Sequence, residues 1–177
     1  MTNQLRHTID LGLLSSASEI PHLMADWAIE AYVYQFRTAA EIIKTGMSAD
    51  FMSQWGERIY RQAGHLPGWP MNYRLTGSSG SDMALIAQEY REKTGRLLDR
   101  NQVAIDVIDM TQSYQPGTHI ISDRREQVRR ACLELERLLI TESVTRMGRL
   151  PIGNRDSGSQ FCERAYHNEQ RIAQFFE

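Results

Sequence analysis

Residues 81–114 contain two amphipathic helical patterns separated by a short polar stretch. Ser81 can cap the first pattern, which repeats apolar residues at helical spacing until Gly95 ends it. Asp99 can cap the second pattern, which predicts a helix over 100–114. Two capped helices joined by a turn are the outline of a helix-turn-helix, so this segment constrains both the packing of the chain and the surface it presents.

Four further helices are predicted from the same kind of periodicity. They cover residues 19–45, 49–63, 124–147 and 157–176. The first has one narrow polar stripe, which indicates a helix buried on more than one side, as a central helix or as part of an oligomer interface. We therefore predict an all-α fold, a compact bundle or orthogonal array of about six helices with a helix-turn-helix-like unit.

A chain of 177 residues is predicted to form a single helical domain over 1–177. The alternative is two subdomains, a helical hairpin over 1–64 and a helix-turn-helix-like unit plus two C-terminal helices over 82–177. The segment 65–81 would join them, as a hinge or as an ordered loop that carries a site. Residues 1–17 show no clear period and are predicted to form a loose arm.

The composition is typical of a folded protein without a strong charge bias. The net charge is −2, so there is no general attraction to nucleic acid or to an anionic membrane. No apolar run approaches the ~20 residues that a membrane span needs. The first ten residues lack the pattern of a signal peptide, so we expect a cytoplasmic location and no membrane partner.

The start of the predicted helix over 100–114 carries side chains suited to base edges and phosphates. The candidate nucleic-acid contacts in this region are Arg96, Arg100, Asn101 and Gln102. Against this, the turn is longer than usual, and Asp106 and Asp109 would face a phosphate backbone unfavourably. Plain packing of two helices is the alternative interpretation.

A second basic stretch opens the predicted helix 124–147. The candidate phosphate contacts there are Arg124, Arg125 and Arg129. Arg125 and Arg129 are one helical turn apart and can share a face. The alternative is a solvated helix surface on which these arginines pair with Glu126 and Glu134.

Metal and cofactor sites are not predicted. Glu19 and His22 have the spacing that di-iron helical bundles use, but the chain has no second copy of the motif. Cys132 and Cys162 lie in apolar helical patterns and are predicted to be reduced thiols. The Gly- and Ser-rich stretch 77–81 precedes a helix start, which can hold an anion, but we interpret it as a flexible linker.

Three classes of function remain from these patterns. The first is a non-catalytic regulatory protein that contacts nucleic acid through the helix-turn-helix-like unit. The alternative is a helical protein–protein interaction adaptor, homodimeric through the broad apolar surface of 19–45, without nucleic-acid binding; an enzyme is the third interpretation. One continuous arginine face would favour the first class, and dispersed Arg–Glu pairs would favour the second.

Overall fold

The computed structural model describes residues 5–49, 55–70, 83–114 and 121–155. These ranges contain a four-stranded antiparallel sheet and five α-helices. In chain order the elements are β1 (Arg6–Asp10), α1 (Glu19–Asp26), β2 (Tyr32–Arg37), β3 (Ile42–Ser48), α2 (Glu57–Gly64), α3 (Met83–Thr94), β4 (Ala104–Asp109), α4 (Ile121–Met147) and α5 (Ile152–Arg155). The fold is mixed α/β, so the prediction of an all-α bundle is wrong.

The strands lie side by side in the order β1-β4-β2-β3, and each neighbouring pair is antiparallel. β2 and β3 form a hairpin in the part of the chain that was predicted to be a helical hairpin. β4 comes from beyond the 65–81 segment and inserts between β1 and β2. The sheet therefore joins distant parts of the chain, and β1 and β3 are its edge strands.

The central strand β2 is buried on both of its faces. Tyr32, Tyr34 and Phe36 point to one face, called face A, while Val33 and Gln35 point to the other, called face B. A strand that is covered on both sides shows no alternation of apolar and polar residues. Its apolar residues also match positions on a helix, which is why helical periodicity continues through it.

The predicted helix 19–45 is therefore α1, β2 and the first part of β3. Its predicted start is confirmed, because α1 begins at Glu19, whose carboxylate accepts the N–H groups of Ser15 and Ser16 at 2.7 and 2.9 Å. Its predicted length is wrong, because α1 ends at Asp26. Ala28 then takes a left-handed conformation with φ of 54°, which turns the chain away from the helix axis.

The predicted helix 100–114 is also wrong. Arg100–Gln102 form one 3-10 turn, and Ala104–Asp109 form strand β4. Ile105 and Val107 point into the core on face A, while Ile108 points to face B. Apolar residues on both faces of a strand produced the helical spacing. α3 is thus followed by a strand, and no helix-turn-helix is present in 83–114.

The other predicted helices agree more closely with the observed elements where the structure describes them. α3 covers the predicted helix 82–94 from residue 83 onward, and α4 covers the predicted helix 124–147 with three further residues at its start. The predicted helix 49–63 contains α2 only in its second half. The predicted helix 157–176, Cys162 and residues 71–82 lie outside the described ranges.

Helices cover the sheet on both faces. The larger core lies on face A and includes Ile20 and Met24 of α1, Ile59 and Ala63 of α2, and Met83, Ile86 and Tyr90 of α3. The smaller core lies on face B, where Val128, Cys132 and Leu139 of α4 pack with Val33 and Ile108. α4 is therefore the helix that covers face B in the described part of the chain.

Gly46 of β3 lies directly opposite Tyr34 and allows its ring to cross the neighbouring strand. A Cβ atom at this position would overlap the phenol ring of Tyr34. The Tyr34 hydroxyl accepts a hydrogen bond from Gln62 of α2 at 2.9 Å, and burial raises the pKa of Tyr34. Glycine at position 46 therefore permits a close contact inside the sheet.

Candidate interaction surface

Arg100, the first residue of the predicted helix 100–114, joins neighbouring loops through hydrogen bonds. Its guanidinium donates hydrogen bonds to the carbonyl oxygens of Gly68 at 3.1 Å, Leu11 at 2.9 Å, and Leu14. The same group lies 4.5 Å from the ring centroid of Trp69, a cation–π contact. With its donors directed at main-chain oxygens, Arg100 is not presented to a groove.

The other predicted contacts in this region lie on the surface, but in a 3-10 turn and a loop and not on an α-helix. Asn101 and Gln102 are exposed in the 3-10 turn, and Arg96 is exposed in the loop after α3. The Asp99 carboxylate accepts from the Asn101 backbone N–H at 2.8 Å and from its side-chain amide at 2.6 Å. The Asn101 amide thus closes the turn locally.

Near the start of α4, arginine side chains contact neighbouring aromatic and acidic side chains. The guanidinium of Arg124 lies 4.8 Å from the ring centroid of Tyr114. Glu126 accepts from Arg130 at 2.8 Å and pairs with Arg129 at 3.8 Å. Arg125 is exposed. For Arg129, the structure has the local ion pair that was the alternative interpretation.

Four ion pairs in the described ranges follow this local pattern. Pairs one helical turn apart join Arg61 to Glu57, Lys93 to Glu89, Arg130 to Glu126 and Arg146 to Glu142. Each pair places a carboxylate beside the cation. The basic groups of these helices are therefore dispersed among acidic ones and do not form one continuous positive face.

β1 forms one edge of the sheet, so one side of its backbone has no neighbouring strand in the described ranges. On its inner side, Leu5 accepts from Asp109 N–H at 2.9 Å, and Leu11 N–H donates to Val103 at 3.1 Å. Because hydrogen-bonding direction alternates along a strand, the N–H and C=O groups of the even-numbered residues point away from β4. Those residues are Arg6, Thr8 and Asp10, and all three are exposed.

A polar network on face B holds β1 against the rest of the sheet. The buried Asp106 carboxylate accepts from Thr8 Oγ1 at 2.8 Å and from Arg37 Nε at 2.8 Å and Nη2 at 3.3 Å. This pair raises the pKa of Arg37, and Asp10 adds to the rise. Because both Asp106 oxygens are used, the network fixes the position of the edge strand without closing its outer side.

The opposite edge of the sheet is covered at Thr45 by the end of the described chain. Asn154 of α5 accepts from the Thr45 backbone N–H at 2.9 Å and donates to the Thr45 carbonyl at 2.8 Å. The side-chain amide thus replaces a neighbouring strand at that point of β3. Within the described ranges, β1 is therefore the edge that remains open for pairing.

Apolar side chains flank the open edge at both ends. Leu5 is 67% exposed and Leu13 is 83% exposed. Between them, the His7 ring stacks on Trp27 with centroids 4.3 Å apart, and Ile9 is buried in the face A core. Exposed leucines beside unpaired backbone are typical of a surface that another protein covers.

Cys132 lies in the smaller core on face B, and its surroundings are those of a buried side chain. No group of three or more His, Cys, Asp or Glu residues in the described ranges could hold a metal ion. Burial, with the nearby charges of Glu136 and Asp109, raises the pKa of the Cys132 thiol to about 12. A thiol with that pKa is protonated at neutral pH, so Cys132 serves as a core side chain.

We expect Glu136 on α4 to make the free energy of unfolding depend on pH. Burial raises its pKa to about 7, although the charges of Arg58 and Lys44 oppose the rise. A carboxyl group whose pKa is raised by folding contributes to the free energy of unfolding fully at pH values below its ordinary pKa of 4.5. This contribution is lost as the pH rises through about 7. We expect the free energy of unfolding to fall by on the order of 2–3 kcal/mol over that window.

Urea unfolding at pH 4.5, 6 and 8 measures this effect. The Glu136→Gln variant should lose most of the dependence, whereas Glu134→Gln, which changes an exposed carboxyl on the same helix, should keep it. Equal pH dependence in Glu136→Gln and the unmodified protein would contradict the assignment.

No family model, curated protein or solved structure matches this chain. Among the described residues, no helix is both long and apolar enough to cross a membrane. Function must therefore be inferred from the surface itself.

The residues of this surface lie within 1–17, where a loose arm was predicted; that prediction is wrong for β1. A signal was present, since Arg6, Thr8 and Asp10 alternate with apolar Ile9 and Leu11. Such alternation is typical of an edge strand with one buried face. The pattern is short, and only its pairing with β4 identifies it.

Proposed function

We propose that this protein is a protein-interaction module that works as a homodimer. The observation that carries the proposal is the outward-facing backbone of Arg6, Thr8 and Asp10 along the edge of β1, which has no neighbouring strand in the described ranges. Unpaired N–H and C=O groups of an edge strand recruit another strand, and proteins that avoid such pairing cover or distort the edge. This edge is regular and is anchored by Asp106.

The distribution of positive charge favours a protein-interaction module over a nucleic-acid-binding protein. Arginines on α2 and α4 lie beside carboxylates one turn away, which reduces the gain from contacting a phosphate. The donors of Arg100 are directed at main-chain oxygens. A partner that is bound by backbone pairing needs no continuous positive face.

Light scattering coupled to size exclusion tests the dimer. We expect a mass of twice the 20.4 kDa chain at micromolar protein, falling toward one chain only on dilution. Addition of 0.5 M salt should weaken the dimer only modestly, since backbone pairing is insensitive to screening. A mass of one chain throughout the range from about 1 to 100 µM would overturn the proposal, because functional dimers of this kind form well within it.

A fluorescence titration with mixed-sequence duplex DNA, single-stranded DNA and RNA at low salt tests the competing class. We expect no saturable binding at about 50 µM protein, which is within the ordinary range of non-specific affinity for nucleic-acid proteins. Salt-dependent binding that is weakened by Arg125→Ala or by Arg96→Ala would instead support a nucleic-acid function. Glu92→Ala, at an exposed position on α3, serves as the matched control.

A further inference from the structure

We infer that β1 pairs with β1 of a second copy, antiparallel and centred on Thr8, so that Arg6 of each copy faces Asp10 of the other. This inference rests on the proposed homodimer and assigns its interface and register. Residues Arg6–Asp10 form a five-residue strand with opposite charges at its two ends and Thr8 at its centre. A two-fold axis through the centre brings each end against the opposite end of the partner strand.

The backbone geometry of β1 permits this pairing. The outward N–H and C=O groups belong to Arg6, Thr8 and Asp10, as the bonds of Leu5 and Leu11 to β4 require. With Thr8 opposite Thr8 of the second copy, Arg6 lies opposite Asp10, so outward-facing groups meet outward-facing groups along the whole strand. The two four-stranded sheets then become one continuous sheet.

Charge favours this register, because among the antiparallel two-fold registers of β1 it is the one that places Arg6 opposite Asp10. The side chains of Arg6, Thr8 and Asp10 all lie on face B, where Thr8 bonds to Asp106. Centring the axis on Arg6 or on Asp10 would place two like charges directly opposite each other, which is unfavourable. Centring it on Thr8 pairs opposite charges at both ends of the interface.

The face A side of the same interface is mostly apolar, although Ile9 and Leu11 are already buried within each chain. Odd-numbered residues of β1 point to face A, and in this register Leu5 lies opposite Leu11 of the second copy while His7 lies opposite Ile9. Leu5 is 67% exposed in the single chain, and pairing would cover it. The interface thus has an apolar side and a charged side, as strands within a sheet do.

The closed edge of β3 explains why assembly would stop at two chains. Each copy offers β1 once, and the two-fold axis uses it fully. At the far side of each sheet, Asn154 occupies the backbone groups of Thr45. A closed dimer is therefore the expected end point, and an extended fibre is not.

A charge-reversal series tests the register on the full chain. Arg6→Asp places Asp opposite Asp10 and should raise the dimer dissociation constant by about tenfold or more. Asp10→Arg should do the same, and the double variant, which restores opposite charges, should return to within about threefold of the unmodified protein. Arg91→Asp, which reverses an exposed arginine on α3, should leave the constant unchanged.

A second variant tests the register without charge. Residues opposite each other in a hydrogen-bonded antiparallel pair have Cα atoms ~5.5 Å apart, which suits a disulfide. Thr8→Cys, in a Cys162→Ser background, should therefore give a covalent dimer with a mild oxidant and revert with a reductant. Cysteine in place of exposed Gln88 on α3 should not cross-link comparably. Circular dichroism should show unchanged folding, which matters most for Asp10, since its carboxylate accepts from Gly12 N–H at 2.9 Å.

The outcomes separate the inference from the proposed function. A chain that stays monomeric refutes both. A dimer whose dissociation constant is unchanged by Arg6→Asp and by Asp10→Arg, and in which Thr8→Cys does not cross-link, refutes the β1 interface. The proposed homodimer would still stand. A dimer that is weakened by both single reversals but not restored by the double variant refutes the Thr8-centred register.

Discussion

Replacing Phe36 with alanine should lower the free energy of unfolding by about 3–5 kcal/mol. Phe36 lies on face A of the central strand, is fully buried, and meets the Tyr34 ring edge-on with centroids 5.7 Å apart. Truncation removes a large apolar side chain and leaves a cavity that the flanking strands cannot close. Urea unfolding followed by tryptophan fluorescence and circular dichroism measures the loss.

Two controls make this result specific. Phe36→Leu keeps much of the volume and should lose about half as much or less. Leu138→Ala removes a side chain that is 61% exposed on α4 and should change the free energy of unfolding by less than about 0.5 kcal/mol. A Phe36→Ala protein as stable as Leu138→Ala would contradict the position of β2 at the centre of the sheet.

Replacing Asn154 with alanine should lower the free energy of unfolding by about 2–5 kcal/mol. The Asn154 amide makes two hydrogen bonds to the backbone of Thr45, and Thr45 is only 1% exposed. Its loss leaves a buried N–H and a buried C=O without their partner, and each such group costs about 1–3 kcal/mol. Urea unfolding reports the magnitude.

The same substitution opens the edge of β3, so it carries a second expected result. We expect Asn154→Ala to form species larger than a dimer at high concentration, detected by light scattering, because β3 then offers unpaired backbone. Gln102→Ala, at an exposed position, should show neither effect. Unchanged stability and an unchanged dimer in Asn154→Ala would show that α5 does not protect this edge.

The two edges of the sheet thus have opposite character, and this asymmetry links the fold to the proposed function. One edge is occupied by a buried side-chain amide. The other presents a regular strand whose end charges are opposite in sign. A protein with one closed and one open edge can associate in pairs without further growth, which is the property an interaction module requires.

Local sequence determined the helices that have a polar face. α3 and α4 occur where periodicity predicted them, and α1 begins at the predicted Glu19. The signals that specify these elements are spacings of three or four residues and groups at the helix ends. Both act between neighbours in the chain, so they can be recognised without a tertiary partner.

The strands depended on partners that the local pattern does not contain. In β4, Val107 faces one core and Ile108 faces the other, but with Val103 and Ala104 they also repeat at the four-residue spacing of a helix. β2 has the same ambiguity, although its aromatic and β-branched residues are typical of strands. The helical interpretation of 100–114 then made Arg100 look like a surface contact.

The candidate surface shows the same division. The alternating charges and apolar residues of 6–10 are visible in the sequence, but the direction of each backbone group is set by pairing with β4, as in the bond between Thr8 and Asp106, which are 98 residues apart. The sequence by itself determined where helices begin and repeat, because their hydrogen bonds and side-chain contacts are local. Only the tertiary structure decided which segments became strands, which edge Asn154 closed and which edge stayed open, because sheet hydrogen bonds join residues that are distant in the chain.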